Sequence, residues 1–348
     1  MRLALDVMGG DHGSVVVLEG LKRAIANGVA IEKVFLAGRE DEVSAGLAEV
    51  GLTDSRVEIV HAPEVLAMTD KPTDGLRGKR NCSLTVAIEL VRDGKADVML
   101  SRGNTGGMLA VATVRLRPIK GVERPGIATV IPSPGHHFVL LDAGANSDCK
   151  PEHLLHFALM GNIYAREILG YPKPRVGVLA NGTEASKGTE LTRAAASLCQ
   201  LADLNFIGYV EGHDLFANRV DVVVTDGFTG NIVLKTCESM GKGILKTLKS
   251  ELTASPIRKL GTWLARGAFT EIKKQMDADV YGGAPLLGLN GLVIKAHGSA
   301  KEKAIMNAIS AAKAAVDHRL VERMVRDVAA ASDISGRVSE ERESTAAT

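Results

Sequence analysis

Small polar residues and glycines are concentrated in five short segments of this 348-residue chain. The backbone N–H groups of glycine-rich turns and the side chains of Asn and Thr can donate hydrogen bonds to an oxyanion without supplying a nucleophile. The segments therefore predict a polar pocket for a phosphate or a developing oxyanion. They are Met8-Gly9-Gly10-Asp11-His12-Gly13, Gly103-Asn104-Thr105-Gly106-Gly107, Gly144-Ala145-Asn146-Ser147-Asp148, Asn181-Gly182-Thr183 and Asp226-Gly227-Phe228-Thr229-Gly230-Asn231.

Cationic side chains near these segments suit the same kind of ligand. A solvated surface charge is the alternative interpretation of each one. His12 directly follows the first predicted strand and is the candidate acid or base, and a turn-capping role explains it equally well. The cations are Arg77, Lys79, Arg80, Lys150 and Lys187.

Hydrophobic periodicity predicts the elements that would position these residues. Short β-branched runs alternate with amphipathic stretches, which predicts a three-layer α/β/α fold around one mostly parallel sheet. Loops after parallel strands emerge at one edge, so all the polar segments are expected there. The predicted strands are Leu3–Val7, Val34–Ala37, Val57–His61, Asp97–Ser101, Ile127–Ile131, Phe138–Asp142, Arg175–Ala180, Asn205–Val210, Asp221–Thr225 and Leu292–Lys295. The main predicted helices are Val15–Ala26, Ser83–Val91, Pro151–Leu169, Thr189–Leu201, Ile232–Leu252, Pro256–Lys274 and Ala300–Val328.

A single catalytic domain is predicted over residues 1–328, and residues 330–348 are predicted to be a disordered tail because they contain few large aliphatic residues. Residues 232–274 predict a protruding helix hairpin joined through Thr253-Ala254-Ser255-Pro256. The apolar stripe of its first helix is expected to pack on the body or on a second subunit. That stripe contains Val233, Cys237, Met240, Ile244 and Leu248.

The second helix of the hairpin has an apolar face bordered by Trp263 and an opposite basic face. This pattern is typical of a helix that lies in the interface of an anionic membrane. A core or dimer helix with a solvated basic face is the alternative. The apolar residues are Ile257, Leu260, Leu264, Ala268 and Ile272, and the basic ones are Lys259, Arg266 and Lys273.

Composition excludes several classes of protein. A net charge of +1 and an aromatic content of 3% argue against nucleic-acid binding. Four scattered cysteines form no Cys-x-x-Cys pair, so neither a disulfide framework nor a zinc site is encoded. Dinucleotide, Walker and Gly-x-Ser-x-Gly motifs are absent from the sequence, so we expect no nucleotide cofactor, no metal and no acyl-enzyme. The early charge of Asp6 interrupts any signal-peptide core, which predicts a cytoplasmic location.

Ordered motifs over residues 1 to about 328 resemble the bacterial phosphate acyltransferase family of phospholipid synthesis. These are Met8-Gly9-Gly10-Asp11-His12, Ser101-x-Gly103-Asn104-Thr105-Gly106, Leu141-Asp142-x-Gly144-Ala145-Asn146-x-Asp148-Cys149-Lys150-Pro151-Glu152-His153-Leu154, Asp226-Gly227-Phe228-x-Gly230-Asn231 and Tyr281-Gly282-Gly283-Ala284-Pro285-Leu286-Leu287-Gly288. The resemblance implies transfer of a long-chain acyl group from acyl carrier protein to inorganic phosphate, giving acyl phosphate for a glycerol-3-phosphate acyltransferase. It also implies a homodimer with a fold similar to phosphotransacetylases and isocitrate-type dehydrogenases. Two features depart from the family pattern: Arg102 stands at a place that is usually small, and Asn181-Gly182-Thr183-Glu184 replaces Asn-x-Gly-x-Glu.

In the implied reaction phosphate itself attacks a thioester, so the protein must hold a dianion and stabilise a tetrahedral oxyanion. The predicted phosphate ligands are Asn104, Thr105, Lys187 and the backbone around Gly106 and Gly230. Asn146 and Asn231 are predicted to donate to the carbonyl, and Asp11, Asp148 and Asp226 to orient loops. His12, Lys79 and Lys150 complete the predicted site.

Acyl carrier protein is acidic, and a basic run opposed only by Glu123 could steer its docking. An ordinary solvated loop is the alternative. The run contains Arg115, Arg117, Lys120 and Arg124.

Three other functions remain open on the sequence: a phosphotransacetylase-like enzyme using coenzyme A, an isocitrate-type dehydrogenase, and a non-enzymatic membrane-surface scaffold. A dehydrogenase should carry metal-binding aspartates on a helix. Asp70 and Asp74 have a suitable spacing, but Pro72 between them argues against a helix there.

Overall fold

The computed structural model describes residues 1–184, 186–275 and 282–328. Their strands are β1 (Arg2–Asp6), β2 (Lys33–Gly38), β3 (Val57–His61), β4 (Val98–Ser101), β5 (Gly126–Ile127), β6 (Thr129–Ser133), β7 (His136–Leu141), β8 (Arg175–Leu179), β9 (Asn205–Val210), β10 (Val222–Val224), β11 (Ala284–Leu287) and β12 (Leu292–Lys295). Their helices are α1 (Gly13–Ala26), α2 (Glu40–Val50), α3 (Asp74–Arg77), α4 (Ser83–Arg92), α5 (Thr105–Leu116), α6 (Pro151–Glu167), α7 (Glu190–Leu201), α8 (Gly227–Leu252), α9 (Pro256–Leu264), α10 (Arg266–Gln275) and α11 (Glu302–Asp317). A 3-10 turn covers Asp214–Phe216, and residues 320–328 are also helical.

The strands form two sheets. The seven-stranded sheet has the order β3-β2-β1-β4-β12-β11-β5, and the five-stranded sheet has the order β6-β7-β10-β8-β9. In the first, β11 is antiparallel to its neighbours while β3, β2, β1, β4 and β12 run parallel. In the second, only the edge strand β6 is antiparallel among the strands described. The predicted α/β class with mostly parallel pairing is confirmed, and its strands are divided between two sheets instead of one.

The predicted strand Ile127–Ile131 is where the chain passes from one sheet to the other. β5 ends at Ile127 and pairs with β11, whereas β6 begins at Thr129 and pairs with β7. Between them, Ala128 is buried and donates its N–H to the carbonyl of Pro285 at 3.0 Å. The sequence pattern did not predict β11, because Pro285 lacks the N–H that a ladder needs.

A continuous core joins the two sheets. Leu3 and Leu5 of β1 are fully buried in the same apolar cluster as Val139 and Leu141 of β7. Alternation along each strand sends these side chains to the inner face. The core therefore fixes the carboxyl ends of both sets of strands relative to each other.

Two predicted helices are interrupted. The stretch Ala300–Val328 stops at Asp317, and Arg319 has a positive φ of 50° before the chain becomes helical again. The stretch Pro256–Lys274 divides at Ala265 into α9 and α10. Gly261 and Gly267 flank that break, and glycine lowers helix propensity on both sides of it. The apolar face predicted across Pro256–Lys274 is therefore shared between two helices.

The hairpin formed by α8, α9 and α10 carries exposed apolar side chains. Met240 and Ile244 of α8 are 62% and 52% exposed, although Val233 near its start packs against the core. On α9, Ile257 and Leu264 are 84% and 71% exposed. No helix in the described part of the chain combines the length and apolar character needed to cross a bilayer. The predicted tail, residues 330–348, and the side chain of Lys273 lie outside the described residues.

Candidate functional site

The polar loops lie at two sheet edges rather than at the single edge that was predicted. Loops after β1 and β4 lie at the carboxyl edge of the seven-stranded sheet, which we call the first edge. Loops after β7, β8 and β10 lie at the carboxyl edge of the five-stranded sheet, the second edge. Residues 296–300, after β12, add a further loop to the first edge. Sequence reasoning missed this loop, although Ala296-His297-Gly298-Ser299 has the same small polar composition.

At the first edge, Asp6 and Ser101 lock two loops together. The Ser101 hydroxyl donates to the Asp6 carboxylate at 2.6 Å and accepts the Gly103 N–H at 2.8 Å. A Cβ on Gly9 would lie 2.7 Å from the Gly103 Cα, so only glycine permits this approach of the two backbones. Burial raises the pKa of Asp6, against the effect of its hydrogen bond with Ser101.

Asn104 uses its side chain within the protein. It caps α5, where its Oδ1 accepts the Gly107 N–H at 2.9 Å. Its Nδ2 donates to the carbonyls of Ala67, Met68 and Asp70 at 3.2, 3.2 and 2.9 Å. In this geometry Asn104 anchors the loop 67–70 and has no amide hydrogen left for a ligand.

The N-terminus of α5 still offers backbone donors. Thr105 and Gly106 are half-buried, and within the described chain their N–H groups have no acceptor. A Cβ on Gly106 would meet the Pro72 ring at 2.8 Å, so the loop 67–80 covers this turn. The Gly106 N–H that the sequence analysis assigned to an anion is thus free of a described acceptor and lies beside a covering loop.

Lys79 belongs to that covering loop. Its ammonium group lies 2.5 Å from the Asp70 carboxylate, and this hydrogen bond raises the pKa of Lys79. Asp74 begins α3 whereas Asp70 lies in the preceding loop, so these two aspartates do not share a helix. Among the described residues, no three His, Cys, Asp or Glu side chains are grouped in a way that could hold a metal ion.

Two buried cations at the first edge were not among the predicted ligands. Arg102 is 1% exposed and donates to the carbonyls of Ala300, at 3.1 Å, and Gly13, while its Nε has no partner among the described residues. Lys295 is 8% exposed, and its ammonium donates to the carbonyl of Ala296. Burial lowers the pKa of Arg102 and lowers that of Lys295 to about 8.

Two carboxylates lie near this pair. The charges of Asp11 and Asp6 raise the pKa of Lys295 against the larger effect of burial. The Asp11 N–H donates to the Gly298 carbonyl at 3.0 Å, which joins the loops after β1 and β12. His12 is exposed at the start of α1 and makes no side-chain cap bond there.

At the second edge, the buried carboxylate of Asp142 collects hydrogen bonds from neutral groups. Its Oδ1 accepts the N–H groups of Ile127, Gly144 and Ala145 at 3.0 to 3.1 Å. Its Oδ2 accepts the backbone N–H and the side-chain amide of Asn146 at 2.7 and 2.9 Å. Burial raises the pKa of Asp142, and these hydrogen bonds oppose the rise.

Asn146, like Asn104, is occupied internally. Its amide nitrogen donates to Asp142 and, at 2.8 Å, to the carbonyl of Pro125. Both amide hydrogens are therefore used, which leaves none for the predicted donation to a substrate carbonyl.

The start of α8 packs against the network of hydrogen bonds around the Asp142 carboxylate, which we call the Asp142 knot. Asp226 caps the helix by accepting the Thr229 N–H at 2.9 Å. The Gly230 N–H donates to the Asp226 carbonyl at 2.9 Å. A Cβ on Gly230 would lie 1.9 Å from the backbone carbonyl oxygen of Asp142. Asn231 is exposed beside Gly144, so its side chain is available at the surface of this edge.

Lys187, Asp148 and Lys150 are all exposed. The aliphatic part of Lys187 covers Gly182, where an added Cβ would lie 2.6 Å from the lysine Cγ. No ion pair of Lys187 is found within the described residues. The ammonium of Lys150 lies 3.9 Å from the Glu123 carboxylate.

α8 extends from the second edge towards the first. Burial lowers the pKa of both Lys295 and His297, and the positive charge of Lys235 on α8 lowers both further. Lys235 must therefore lie near the end of β12. The start of α8 thus packs on the second edge, and its Lys235 lies near the first.

The cysteines carry no sign of nucleophilic activation. Burial raises the pKa of each described thiol, to about 12 for Cys149 and Cys199. Thiolates are the reactive form, so these thiols are inert near neutral pH. The site is equipped to bind and polarise a ligand rather than to form a covalent intermediate through cysteine.

A family model described as "Fatty acid synthesis protein" matches residues 1–323. The chain is 46% identical over 317 residues to a phosphate acyltransferase of Akkermansia muciniphila, covering 89% of this chain and 90% of that protein. It is 45% identical over 329 residues to a phosphate acyltransferase of Desulfitobacterium hafniense, covering 94% and 98%.

Solved structures with low sequence identity share the fold. A phosphotransacetylase from Streptococcus pyogenes superimposes with a TM-score of 0.63 at 18% identity, covering 91% of this chain and 94% of that one. A 4-hydroxythreonine-4-phosphate dehydrogenase from Klebsiella pneumoniae gives a TM-score of 0.52 at 14% identity, covering 90% and 98%. At these identities the likeness shows the fold alone.

Proposed function

Because this chain belongs to the phosphate acyltransferase family, we propose that it moves a long-chain acyl group from acyl carrier protein to inorganic phosphate. Family membership itself makes the chain an acyltransferase that transfers an acyl group to phosphate in phospholipid synthesis. The carrier-protein donor, the long chain and the use of the product by a glycerol-3-phosphate acyltransferase belong to the proposal. We assign this activity to residues 1–328 as one catalytic domain.

One observation about the first edge supports this chemistry most directly: among its described residues it combines free backbone donors and buried cations, and burial raises the pKa of the nearby Cys82 thiol. A phosphate oxygen would attack the thioester carbonyl carbon, forming a C–O bond. Collapse of the tetrahedral intermediate would break the C–S bond, and the departing thiolate would take up a proton. Preorganised N–H groups and cations stabilise the oxyanion in such a step.

Within this proposal the predicted residues fall into three groups. Lys187, Asn231 and the N–H groups of Thr105 and Gly106 remain candidates for contact with phosphate or the thioester, because they are exposed or have free donors. Asn104 and Asn146 are better suited to holding loops. The remaining residues are proposed to line or orient the site: Asp11, His12, Lys79, Asp148, Lys150, Asp226 and Gly230.

Incubation with palmitoyl-acyl carrier protein and phosphate tests the reaction. We expect free carrier thiol and acyl phosphate, detected by mass spectrometry, only when phosphate is present. Thiol release that ignores phosphate would indicate a thioesterase instead. Equal use of palmitoyl-coenzyme A would favour the coenzyme A alternative, and nicotinamide reduction with a hydroxy acid would favour a dehydrogenase.

Lys187 can be tested against a half-buried lysine, Lys33, that lies away from both edges. A charge-assisted hydrogen bond contributes about 1.5–3 kcal/mol, so Lys187→Ala should lower activity roughly 10- to 100-fold while the protein stays folded. Lys33→Ala, which removes a surface ion pair with Glu58, should leave turnover unchanged. Normal turnover of Lys187→Ala at low phosphate would remove this residue from the site.

Docking of acyl carrier protein is proposed at the loop after α5. Arg117, Lys120 and Arg124 are exposed there, whereas Arg115 is half-buried and lies 3.2 Å from Glu89. Charge reversal in Arg117→Glu/Arg124→Glu should raise the KM for acyl carrier protein and leave the KM for phosphate unchanged. Equal effects on both constants would argue against docking at this loop.

Reversible contact of α9 with an anionic membrane is proposed from its exposed apolar face, which includes Leu260 and Leu264 at 60% and 71% exposure. The protein would then be cytoplasmic and peripherally membrane-associated. Vesicle flotation should show binding that weakens with salt and is lost in Leu260→Glu/Leu264→Glu, with catalysis in solution retained. A double mutant that co-floats like the wild type would assign this face to another contact.

Homodimerisation is proposed through the exposed stripe of α8. Met240→Glu/Ile244→Glu should convert a dimer to a monomer in light scattering after size exclusion. A dimer that persists in this variant would place the interface elsewhere.

A further inference from the structure

Lys295 is a buried cation with hydrogen-bonding capacity to spare. It ends β12, where it lies in register with Ser101 of β4, and it is only 8% exposed. An ammonium group has three donors, and the acceptor found for it within the described chain is the carbonyl of the adjacent Ala296. A buried charge of this kind is costly unless an anion compensates it.

Charges of both signs surround Lys295, and the ammonium of Lys235 is paired with the Glu238 carboxylate at 2.9 Å. Asp6 of β1 and Asp11 of the following loop are the carboxylates near it, while Arg102 and Lys235 are the cations. Lys242 and Glu238 on α8 lie near His297, the next titratable residue along the chain. The Asp6 carboxylate accepts the Ser101 hydroxyl, and within the described chain it makes no hydrogen bond with Lys295.

Arg102 holds the backbone around this position. Its guanidinium bonds the carbonyl of Gly13, at the start of α1, and that of Ala300, just before α11. A Cβ on Gly10, whose φ is +94°, would lie 3.0 Å from the arginine side chain, so Arg102 lies directly against the Gly10 backbone. Arg102 thereby joins the loop after β1 to the loop after β12.

Resting on the proposed function, we propose that Lys295 binds the acceptor phosphate at the first edge and that Arg102 is a positioning residue for the two loops around it. The phosphate dianion supplies acceptors for the ammonium donors that Lys295 does not use within the described chain. Lys235 on α8 lies near Lys295 but is paired with Glu238, so the anion is assigned to the end of β12. Burial lowers the pKa of Lys295 to about 8 because it disfavours the charged ammonium, and a bound anion would favour that charged form.

Phosphate binding by the whole chain, measured by calorimetry without any acyl donor, tests the proposal independently of turnover. Lys295→Met keeps an unbranched side chain one atom shorter and removes the charge, and it should weaken phosphate binding about 10- to 100-fold. Lys33→Met is the matched control and should bind as the wild type does. Binding of phosphate by Lys295→Met as tightly as by the wild type, or failure of the wild type to bind it, would overturn the proposal.

The pH profile separates the two roles. As Lys295 loses its proton above pH about 8, wild-type affinity should fall relative to Lys295→Met, whose profile contains only the titration of phosphate and of the other groups. Arg102→Met should weaken binding and keep that fall, because Lys295 is still present. Parallel profiles for the wild type and Lys295→Met would contradict the proposal. A wild type that binds phosphate but does not release carrier thiol would refute only the proposed acyl transfer.

Discussion

The two carboxyl edges satisfy buried charge in opposite ways. At the second edge, the Asp142 carboxylate is surrounded by N–H donors of Ile127, Gly144, Ala145 and Asn146, and the knot is complete without a ligand. At the first edge, Arg102 has an unpartnered Nε, and Lys295 has only its neighbour's carbonyl among the described acceptors. A satisfied buried group serves structure, whereas an unsatisfied buried cation indicates a place for an anion.

The comparison also separates types of residue that look alike in sequence. Asn104 and Asn146 both follow strands in glycine-rich segments, and both donate their amide hydrogens within the protein: Asn104 to backbone carbonyls, and Asn146 to the Pro125 carbonyl and the Asp142 carboxylate. Asn231 occupies a similar segment but lies exposed at the start of α8. An asparagine in such a loop is thus a candidate for binding a ligand only when its amide hydrogens are not already donated to acceptors within the protein.

The largest expected effect is on stability, from Asp142→Ala at the second edge. The substitution leaves several buried N–H groups without an acceptor, and at about 1–3 kcal/mol for each such group the free energy of unfolding should fall by roughly 3–5 kcal/mol or more. Chemical denaturation measures it. Asp148→Ala, on the exposed part of the same loop, should change stability by less than about 0.5 kcal/mol. Similar stabilities for the two variants would contradict the assignment of Asp142 as the centre of the knot.

The positions of the loops were largely predictable, because glycine and asparagine mark strand-to-helix turns through their own backbone preferences. The division into two sheets was not, since the run from Ile127 to Ile131 contains no residue that signals a change of sheet. The role of Lys295 was equally hidden. A lysine at the end of a strand is usually solvated, and its burial here depends on elements packed around β12 from distant parts of the chain.

The next effect is a gain in stability at the first edge. The pKa of Lys295 in the folded protein, about 8, lies below its ordinary value of 10.5. At any pH where the lysine is charged in both the folded and the unfolded state, this shift lowers the free energy of unfolding. Lys295→Met should therefore be more stable than the wild type near pH 7, by on the order of 3 kcal/mol in phosphate-free buffer. The wild type binds fewer protons when folded than when unfolded between pH 8 and 10.5, so its stability rises there and the difference should narrow.

Denaturation of both proteins at pH 7 and pH 10 checks this sign. Lys33→Met, which removes a surface pair, should show no comparable pH dependence. A difference between Lys295→Met and the wild type that stays constant with pH would mean that folding leaves the pKa of Lys295 at its ordinary value.

A smaller effect is expected from Asn104→Ala. Loss of the N-cap costs about 1 kcal/mol, and loss of the donor to the carbonyls of residues 67–70 brings the total to roughly 1–3 kcal/mol. The covering loop should loosen, so trypsin should cleave faster after the cations of residues 71–80. Asn81→Ala, whose side chain is exposed, is the control and should leave both readouts unchanged. Unchanged proteolysis in Asn104→Ala would show that the Asn104 amide does not anchor the loop, and the amide would again be a candidate phosphate ligand.

The smallest expected effect is that of Cys149→Ser, which tests whether the Cys149 thiol at the second edge acts as a nucleophile. Cys149 follows the Asp142 knot, its thiol donates to the Asn146 carbonyl at 3.4 Å, and burial raises its pKa to about 12. Less than one thiol in a thousand would be ionised at neutral pH, so it cannot carry the acyl group efficiently. A serine hydroxyl can make the same donation, so turnover should be unchanged and stability should shift by less than about 1 kcal/mol. Steady-state kinetics with an acyl thioester and phosphate decide the matter: a loss of 100-fold or more in a stable Cys149→Ser protein would reveal an acyl-enzyme, and would move the chemistry from the cations of the first edge to a thiol of the second.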